Sequence, residues 1–411
     1  MLRDRFIQEL PFFTNEHRSL AARVAEFAAR QLAPRASEDD DPDEQLRAGI
    51  ALLAQADLLR YTVIRADVRP DVRAMCVIRE ALAYYSPLVD LAFMMQGLGT
   101  YALSLAAPDH VRDFWLARAA TGKAIAAFAL TEPDAGSDVS SIQTTAERDA
   151  NTYLINGRKC LISNAGVADF YTVFARTGTE PDGNAQISAF VVSARLPGFT
   201  VRARHQWLSS YPMGEIEFNA LRVPAEDMIG AEGEGLYLAM QTLDLFRASV
   251  GAAACGMARR ALDETALYVE RRKQFGHALA DFQLVQEKLA NMVTELDAAR
   301  LLVYRAAHLK DTLDPRAITR ETSEAKLFAT EAAGRIIDNA VQLHGGNGLV
   351  RGHMVERLYR DARALRIYGG TSEIQRIVIA SQLMQEYARM TEEARDNKEP
   401  GARSQESGAS R

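Results

Sequence analysis

The spacing of apolar residues changes period twice along this 411-residue chain, and that double change limits its fold more than any single motif does. From residue 15 to about 121, apolar residues recur at three- and four-residue steps, as in Leu20, Val24 and Phe27. That is the pattern of helices with one face turned to a core. After Asp138 the period falls to two. Glu215-Ile216-Glu217-Phe218-Asn219 alternates polar and apolar like a half-buried strand, and further strands are predicted at 169–176, 187–193 and 199–205. The run 152–155, Asn156-Gly157 and 158–162 predicts a hairpin with a tight primed turn. Helical spacing returns from about 235 to 390. Val285, Leu289, Met292, Leu296, Ala299 and Val303 make one stripe. Ala325, Phe328, Ala332, Ile336, Ala340 and Leu343 make a second, stopped at Gly345-Gly346, and both suit a helix bundle.

Composition removes several function classes. A net charge of −6 argues against a nucleic-acid surface. Cys76, Cys160 and Cys255 lie far apart, and the histidines show no His-x-x-x-His spacing, so no metal site is expected. Arg3 and Arg5 precede no apolar signal core, and no apolar run approaches about 18 residues, so a soluble, cytoplasmic protein off the membrane is expected. Residues 36–44 read as a solvated acidic connector, Phe93-Met94-Met95 as helix core, and the tail from about 396 as disordered. Gly230, Gly233 and Gly235 lack the order and the βαβ setting of a dinucleotide fingerprint.

Thr131-Glu132-Pro133-Asp134-Ala135-Gly136-Ser137-Asp138 follows an apolar run and offers a turn rich in free backbone N–H groups, suited to an anionic or carbonyl-rich ligand or to a plain interdomain connector. Three other segments stand out: Arg271-Arg272-Lys273-Gln274-Phe275-Gly276, Gln342-Leu343-His344-Gly345-Gly346-Asn347-Gly348, and Ile367-Tyr368-Gly369-Gly370-Thr371-Ser372-Glu373-Ile374-Gln375-Arg376. Each alone reads as a helix end or cap.

Together, and in this order, the four segments resemble the acyl-CoA dehydrogenase family over roughly residues 15–390. The resemblance implies an α+β multidomain fold. An N-terminal helical domain (1–127) would precede a middle antiparallel β-barrel (128–232), a C-terminal four-helix bundle (233–392) and a tail (393–411). It also implies a homotetramer, FAD, an acyl-CoA or acyl-carrier thioester as substrate, and an electron-transferring flavoprotein as acceptor. By the same resemblance Phe128, Leu130, Thr131, Leu161 and Ser163 line the flavin ring, with Leu161 standing where the family usually has an aromatic residue. Gly136 and Ser137 fall near the pyrophosphate and the thioester. Arg272, Phe275 and Gln283 reach the cofactor of a neighbouring subunit, Gln342, Gly345 and Gly346 close over it, and Thr371 and Glu373 stand near its phosphates. Asp244 and Arg247 fall beside the CoA nucleotide, against the simpler reading of a surface i,i+3 ion pair, and Tyr368 falls at the substrate.

The departure that matters most is at the base. Most of the family place a catalytic glutamate where this chain has Gly369, and some place it where this chain has Phe246. Neither side chain accepts a proton. Asp90, on the helix expected to face the acyl pocket, is the substitute candidate, although an acid there could equally recognise a polar substrate tail. The resemblance therefore leaves four readings: a dehydrogenase with a displaced base, a lyase releasing a β-substituent such as sulfinate, a base-deficient partner subunit, and a flavin-dependent oxygenase.

Overall fold

The computed structural model describes residues 6–35, 41–181 and 183–396. The predicted tail beyond 396 and most of the acidic connector lie outside the described residues. The N-terminal part is helical: α1 Phe6–Glu9, α2 Asn15–Phe27, α3 Pro42–Gln55, α4 Val72–Tyr85, α5 Pro87–Ala106 and α6 Asp109–Ala120. The eight-stranded sheet follows with β1 Ala126–Ala129, β2 Thr145–Asp149, β3 Thr152–Ser163, β4 Phe170–Thr179, β5 Ala185–Ser193, β6 Phe199–Arg204, β7 Met213–Pro224 and β8 Met228–Ile229. The C-terminal part holds α7 Gly235–Arg271, a small arm of β9 Lys273–Gln274 and β10 His277–Ala278, α8 Gln283–Thr312, α9 Thr319–His344, α10 Met354–Arg363 and α11 Ser372–Asp396.

The helix–strand–helix order is as the periodicity predicts, with three local differences. Residues 42–44 are the first turn of α3 rather than connector: the Asp41 side chain caps the Asp43 N–H, and Pro42 occupies the first turn. Asn156-Gly157 is a bulge inside the continuous strand β3, not a hairpin turn. The Asn156 side chain accepts the Ala220 N–H at 2.7 Å, and a Cβ on Gly157 would lie 2.6 Å from the Thr144 hydroxyl, so glycine is needed for a close approach within the sheet. The real turn is one step earlier, at Ala150-Asn151, with Ala150 at φ +53°. The sheet is also mixed rather than wholly antiparallel. Its order is β6-β7-β3-β2-β4-β5-β8, and β4 runs parallel to both β1 and β2.

The long helix α7 packs against α4 and α5 on one side and α8 and α9 on the other, so the N-terminal helices and the bundle share a core. Their backbones touch at Gly256, where a Cβ would lie 2.2 Å from the Glu80 carbonyl oxygen. Helix α5 is long and apolar enough to cross a bilayer, yet it is mostly buried here, and Phe93, Met94 and Met95 are core residues as expected. Two consecutive charges on α4 are also buried. Glu80 accepts hydrogen bonds from the Tyr304 hydroxyl at 2.6 Å and from Arg259 at 3.2 Å, and pairs with Arg300 at 2.9 Å. This ties α4 to α7 and α8.

Removing one member of a buried charge network leaves the others uncompensated. Glu80→Ala is therefore expected to cost about 3–5 kcal/mol, and Tyr304→Phe only about 1 kcal/mol. Thermal midpoints should fall in that order, and equal midpoints would remove Glu80 from its keystone position.

Candidate active site

The turn after β1 is held by a buried ion pair that sequence reasoning missed. Lys159 donates to the Leu130 carbonyl at 3.0 Å and to Glu132 at 2.7 Å, while Glu132 also accepts the backbone N–H groups of Gln143 and Thr144. Burial pushes the Lys159 ammonium down to about 8 even with Glu132 beside it. The turn is thus anchored from behind while Gly136 and Ser137 face solvent, and nothing lies within 4 Å of where a Gly136 Cβ would stand.

Beside this turn, the Thr131 carbonyl accepts the Cys160 N–H at 3.0 Å, which places the β3 bulge against it. Leu161 sits in that bulge at φ +53°, a strained conformation for leucine, with its side chain 53% exposed. Phe128 is half-buried against Phe174, Leu130 is buried, and Thr131 and Ser163 are half-buried. An apolar side chain held open next to a backbone turn leaves room for a flat ring.

Arg272 caps the end of α7, Phe275 lies in the turn between β9 and β10, and Gln283 opens α8. Phe275 is 91% exposed at φ +54°, and Arg272 makes no ion pair among the described residues. Gln342, Gly345 and Gly346 are exposed at the end of α9, where His344 stacks on Tyr268 with ring centroids 4.3 Å apart. Thr371 caps α11 by accepting the Ile374 N–H at 3.3 Å, and Glu373 is exposed in its first turn.

Asp244 and Arg247 are not a surface pair. Asp244 accepts from Arg247 at 2.6 Å and from the buried Lys310, and Arg247 also reaches Ser323 at 3.3 Å. Burial lowers the Arg247 guanidinium against the pull of Asp244, and its Nε is buried without a partner among the described residues. An orphan donor of this kind is costly unless something else accepts from it.

Three parts of the chain meet at Tyr368. Arg79 of α4 grips Asp90 of α5 in a fork, Nε and Nη2 each 2.8 Å from a different carboxylate oxygen, and its Nη1 donates to Ser249 of α7 at 3.0 Å. Both partners are fully buried. Burial pushes the Asp90 carboxyl above its ordinary value, while the Arg79 charge opposes the shift. The phenols of Tyr368 and Tyr211 are both raised by burial, and both feel the charge of Asp90. Tyr211 comes from the loop between β6 and β7 and donates to Asn164 at 2.6 Å, which in turn donates to the β1 residue Ala126.

Gly369 follows Tyr368 directly at φ +65°, with Val250 Cγ2 4.0 Å from where its Cβ would stand. The loop is pinned by Lys326, which donates to the Gly370 carbonyl at 2.8 Å, and by Gln375. Phe246 is packed in the core, its ring filling the space left by Gly97. Sequence reasoning missed Arg79, Tyr211 and Lys326. Of these, Arg79 carried a signal: a charged pair, Arg79-Glu80, interrupts the apolar run from Ala74 to Tyr85.

Comparison with known proteins agrees with this architecture. The N-terminal, middle and C-terminal domains of acyl-CoA dehydrogenase match residues 14–123, 127–221 and 233–384. The 3-(aryl)acrylate reductase of Clostridium sporogenes is 36% identical, covering 91% of this chain and 100% of its own. The cyclohexane-1-carbonyl-CoA dehydrogenase of Geobacter metallireducens is 34% identical, covering 92% and 100%. Among solved structures, butyryl-CoA dehydrogenase from Megasphaera elsdenii superposes with a TM-score of 0.83 at 33% identity, covering 90% of this chain and 99% of its own. With all three domains matched in order along the chain, this protein belongs to the acyl-CoA dehydrogenase family.

Proposed function

We propose that this chain is an FAD-dependent oxidoreductase acting at the Cα–Cβ bond of an acyl thioester, with Asp90 in place of the usual glutamate. The observation that carries the reading is the composition of the Tyr368 cluster. Gly369 and Phe246 offer no proton acceptor, whereas Asp90 is a buried carboxylate whose charge reaches Tyr368, the residue before Gly369. A carboxylate has about four lone-pair sites, and a bidentate guanidinium uses two of them. Arg79 thus orients Asp90 and leaves acceptor capacity, and desolvation moves its proton affinity toward the range a general base needs.

The residues fit FAD. The open Leu161 surface and Thr131 suit a flavin ring, the Gly136-Ser137 turn and the start of the 25-residue helix α11 offer N–H groups to phosphates, and Arg272, which makes no ion pair among the described residues, offers a guanidinium to a pyrophosphate. When bound, the flavin supplies the acceptor for a hydride from Cβ. The chain's own part is to align the thioester near Ser137, to hold its nucleotide end with Arg247 beside Asp244, and to take the α-proton at Asp90. Because Arg272 and Phe275 project on an arm, the FAD they touch belongs to a second copy. The exposed apolar residues Ile377, Met384, Tyr387 and Met390 of α11 support assembly, read here as a homotetramer. An electron-transferring flavoprotein is the proposed acceptor, free acyl-CoA or an acyl-carrier thioester the substrate, and the cytoplasm the location.

One observation favours a second reading. Both Asp90 oxygens are already engaged by Arg79, which suits a base-deficient partner subunit that binds flavin without oxidising a thioester. Lyase and oxygenase chemistry have no specific support among these contacts.

Anaerobic flavin spectra with straight-chain, cyclic and aryl-substituted acyl-CoAs separate the readings. Bleaching by at least one thioester, reduced about 10²-fold or more in Asp90→Asn, is expected. No bleaching by any member supports the silent subunit instead. Gly369→Glu alone should restore little, because a glutamate at φ +65° carries about 1–2 kcal/mol of strain. Rapid bleaching of that variant by butyryl-CoA would show that the loop relaxes freely.

Cofactor retention tests the arm. Arg272→Ala should lower the flavin-to-protein absorbance ratio more than Arg271→Ala, measured on purified protein together with light-scattering mass. Equal retention in both variants would detach Arg272 from the cofactor.

A further inference from the structure

At the end of β1 remote from Thr131, the surface opens into a concavity of about 300 Å³. Its walls include Phe114, Trp115 and Arg118 of α6, Lys123 in the following turn, Asp169 at the head of β4, and Arg195 just after β5. Trp115 lies on the buried Phe170 with ring centroids 4.4 Å apart, and Phe114 meets Trp115 at 89°. The two rings make an apolar corner whose outer member, Phe114, is still 49% exposed. Arg118 lies over the Phe114 face, 4.3 Å from its centroid.

Charge is uneven here. Arg118, Lys123 and Arg195 make no ion pair among the described residues, and the Asp169 carboxylate is held by the Ile125 N–H at 2.8 Å. Three cations thus face one carboxylate on a protein whose net charge is −6. Unpaired surface cations alone carry little information, because water satisfies them. Their convergence on a concave aromatic corner, with a volume at the small end of ligand pockets, does carry information.

We propose that this concavity binds a planar organic anion, with its ring against Phe114 and Trp115 and its carboxylate or phosphate among Arg118, Lys123 and Arg195. Guanidinium forks match either anion, and the aromatic corner selects ligands with a ring over bare inorganic ions. The site is separate from the Thr131–Tyr368 region, since Ala124 in its wall precedes β1 and Thr131 follows it. Aryl carboxylates, aryl phosphates and nucleotides share this chemistry.

Trp115 is a built-in reporter, because Trp207 is the chain's only other tryptophan. Protein purified with its flavin, carrying Trp207→Phe, would be titrated with benzoate, phenyl phosphate and AMP, with inorganic phosphate and adenosine as controls. Saturable changes in Trp115 emission below about 1 mM for at least one ring-bearing anion are expected, matched by calorimetric heat. The rank order among benzoate, phenyl phosphate and AMP identifies the source. Arg195→Ala, at an exposed position outside the core, should weaken that binding about fivefold or more without moving the thermal midpoint. Three outcomes would overturn the proposal: no saturable change, equal binding of inorganic phosphate, or binding of every ring-bearing anion unaffected by Arg195→Ala.

Discussion

Two adjacent charges on α4, Arg79 and Glu80, are buried in the core, and neither can be left without a partner. That constraint organises much of the molecule. Glu80 is answered by Tyr304, Arg259 and Arg300, which fixes α4 on α7 and α8. Arg79 is answered by Asp90 and Ser249, which fixes α5 beside the same helix. The second set of contacts holds Asp90, the proposed base, so under that proposal the interaction that joins the N-terminal helices to the bundle also positions the proton acceptor. A change at Asp90 would leave the Arg79 charge uncompensated in the core and disturb the packing of α5.

The remaining site follows the same logic of anchoring from behind and exposure in front. Glu132 and Lys159 bury their charges beneath the turn, so that Gly136 and Ser137 can stay open to a ligand. Lys326 and Gln375 pin the Gly369-Gly370 loop from the α9 and α11 sides. Both glycines have positive φ, a backbone state that glycine holds without strain and a glutamate at Gly369 would not. A side chain at Gly369 would thus meet a backbone constraint as well as a change of chemistry.

Much of this was legible in the sequence because it rests on local periodicity. The α8 and α9 stripes, the stop at Gly345 and the Thr371 cap depend on neighbours in the chain, and all three are found as read. What the sequence hid depends on distant partners. Asn156-Gly157 has the residues of a tight turn, but Thr144 and Ala220 across the sheet make it a bulge. Asp244 and Arg247 have helical i,i+3 spacing, and only Lys310, Thr322 and Ser323 turn them into a buried network. Asp90 was visible as an acid on an apolar helix, yet its guanidinium partner was not, because spacing alone does not show which way two helices face.

Removal of the α-proton by Asp90, as proposed, would exchange that proton with solvent without requiring net oxidation. CoA thioesters with the wild-type protein in D2O would be followed by mass spectrometry for deuterium at Cα. Incorporation is expected with the wild type, and its loss in Asp90→Asn, with flavin content retained. Exchange that continues unchanged in Asp90→Asn, or that is absent from the wild type with every thioester, would contradict it.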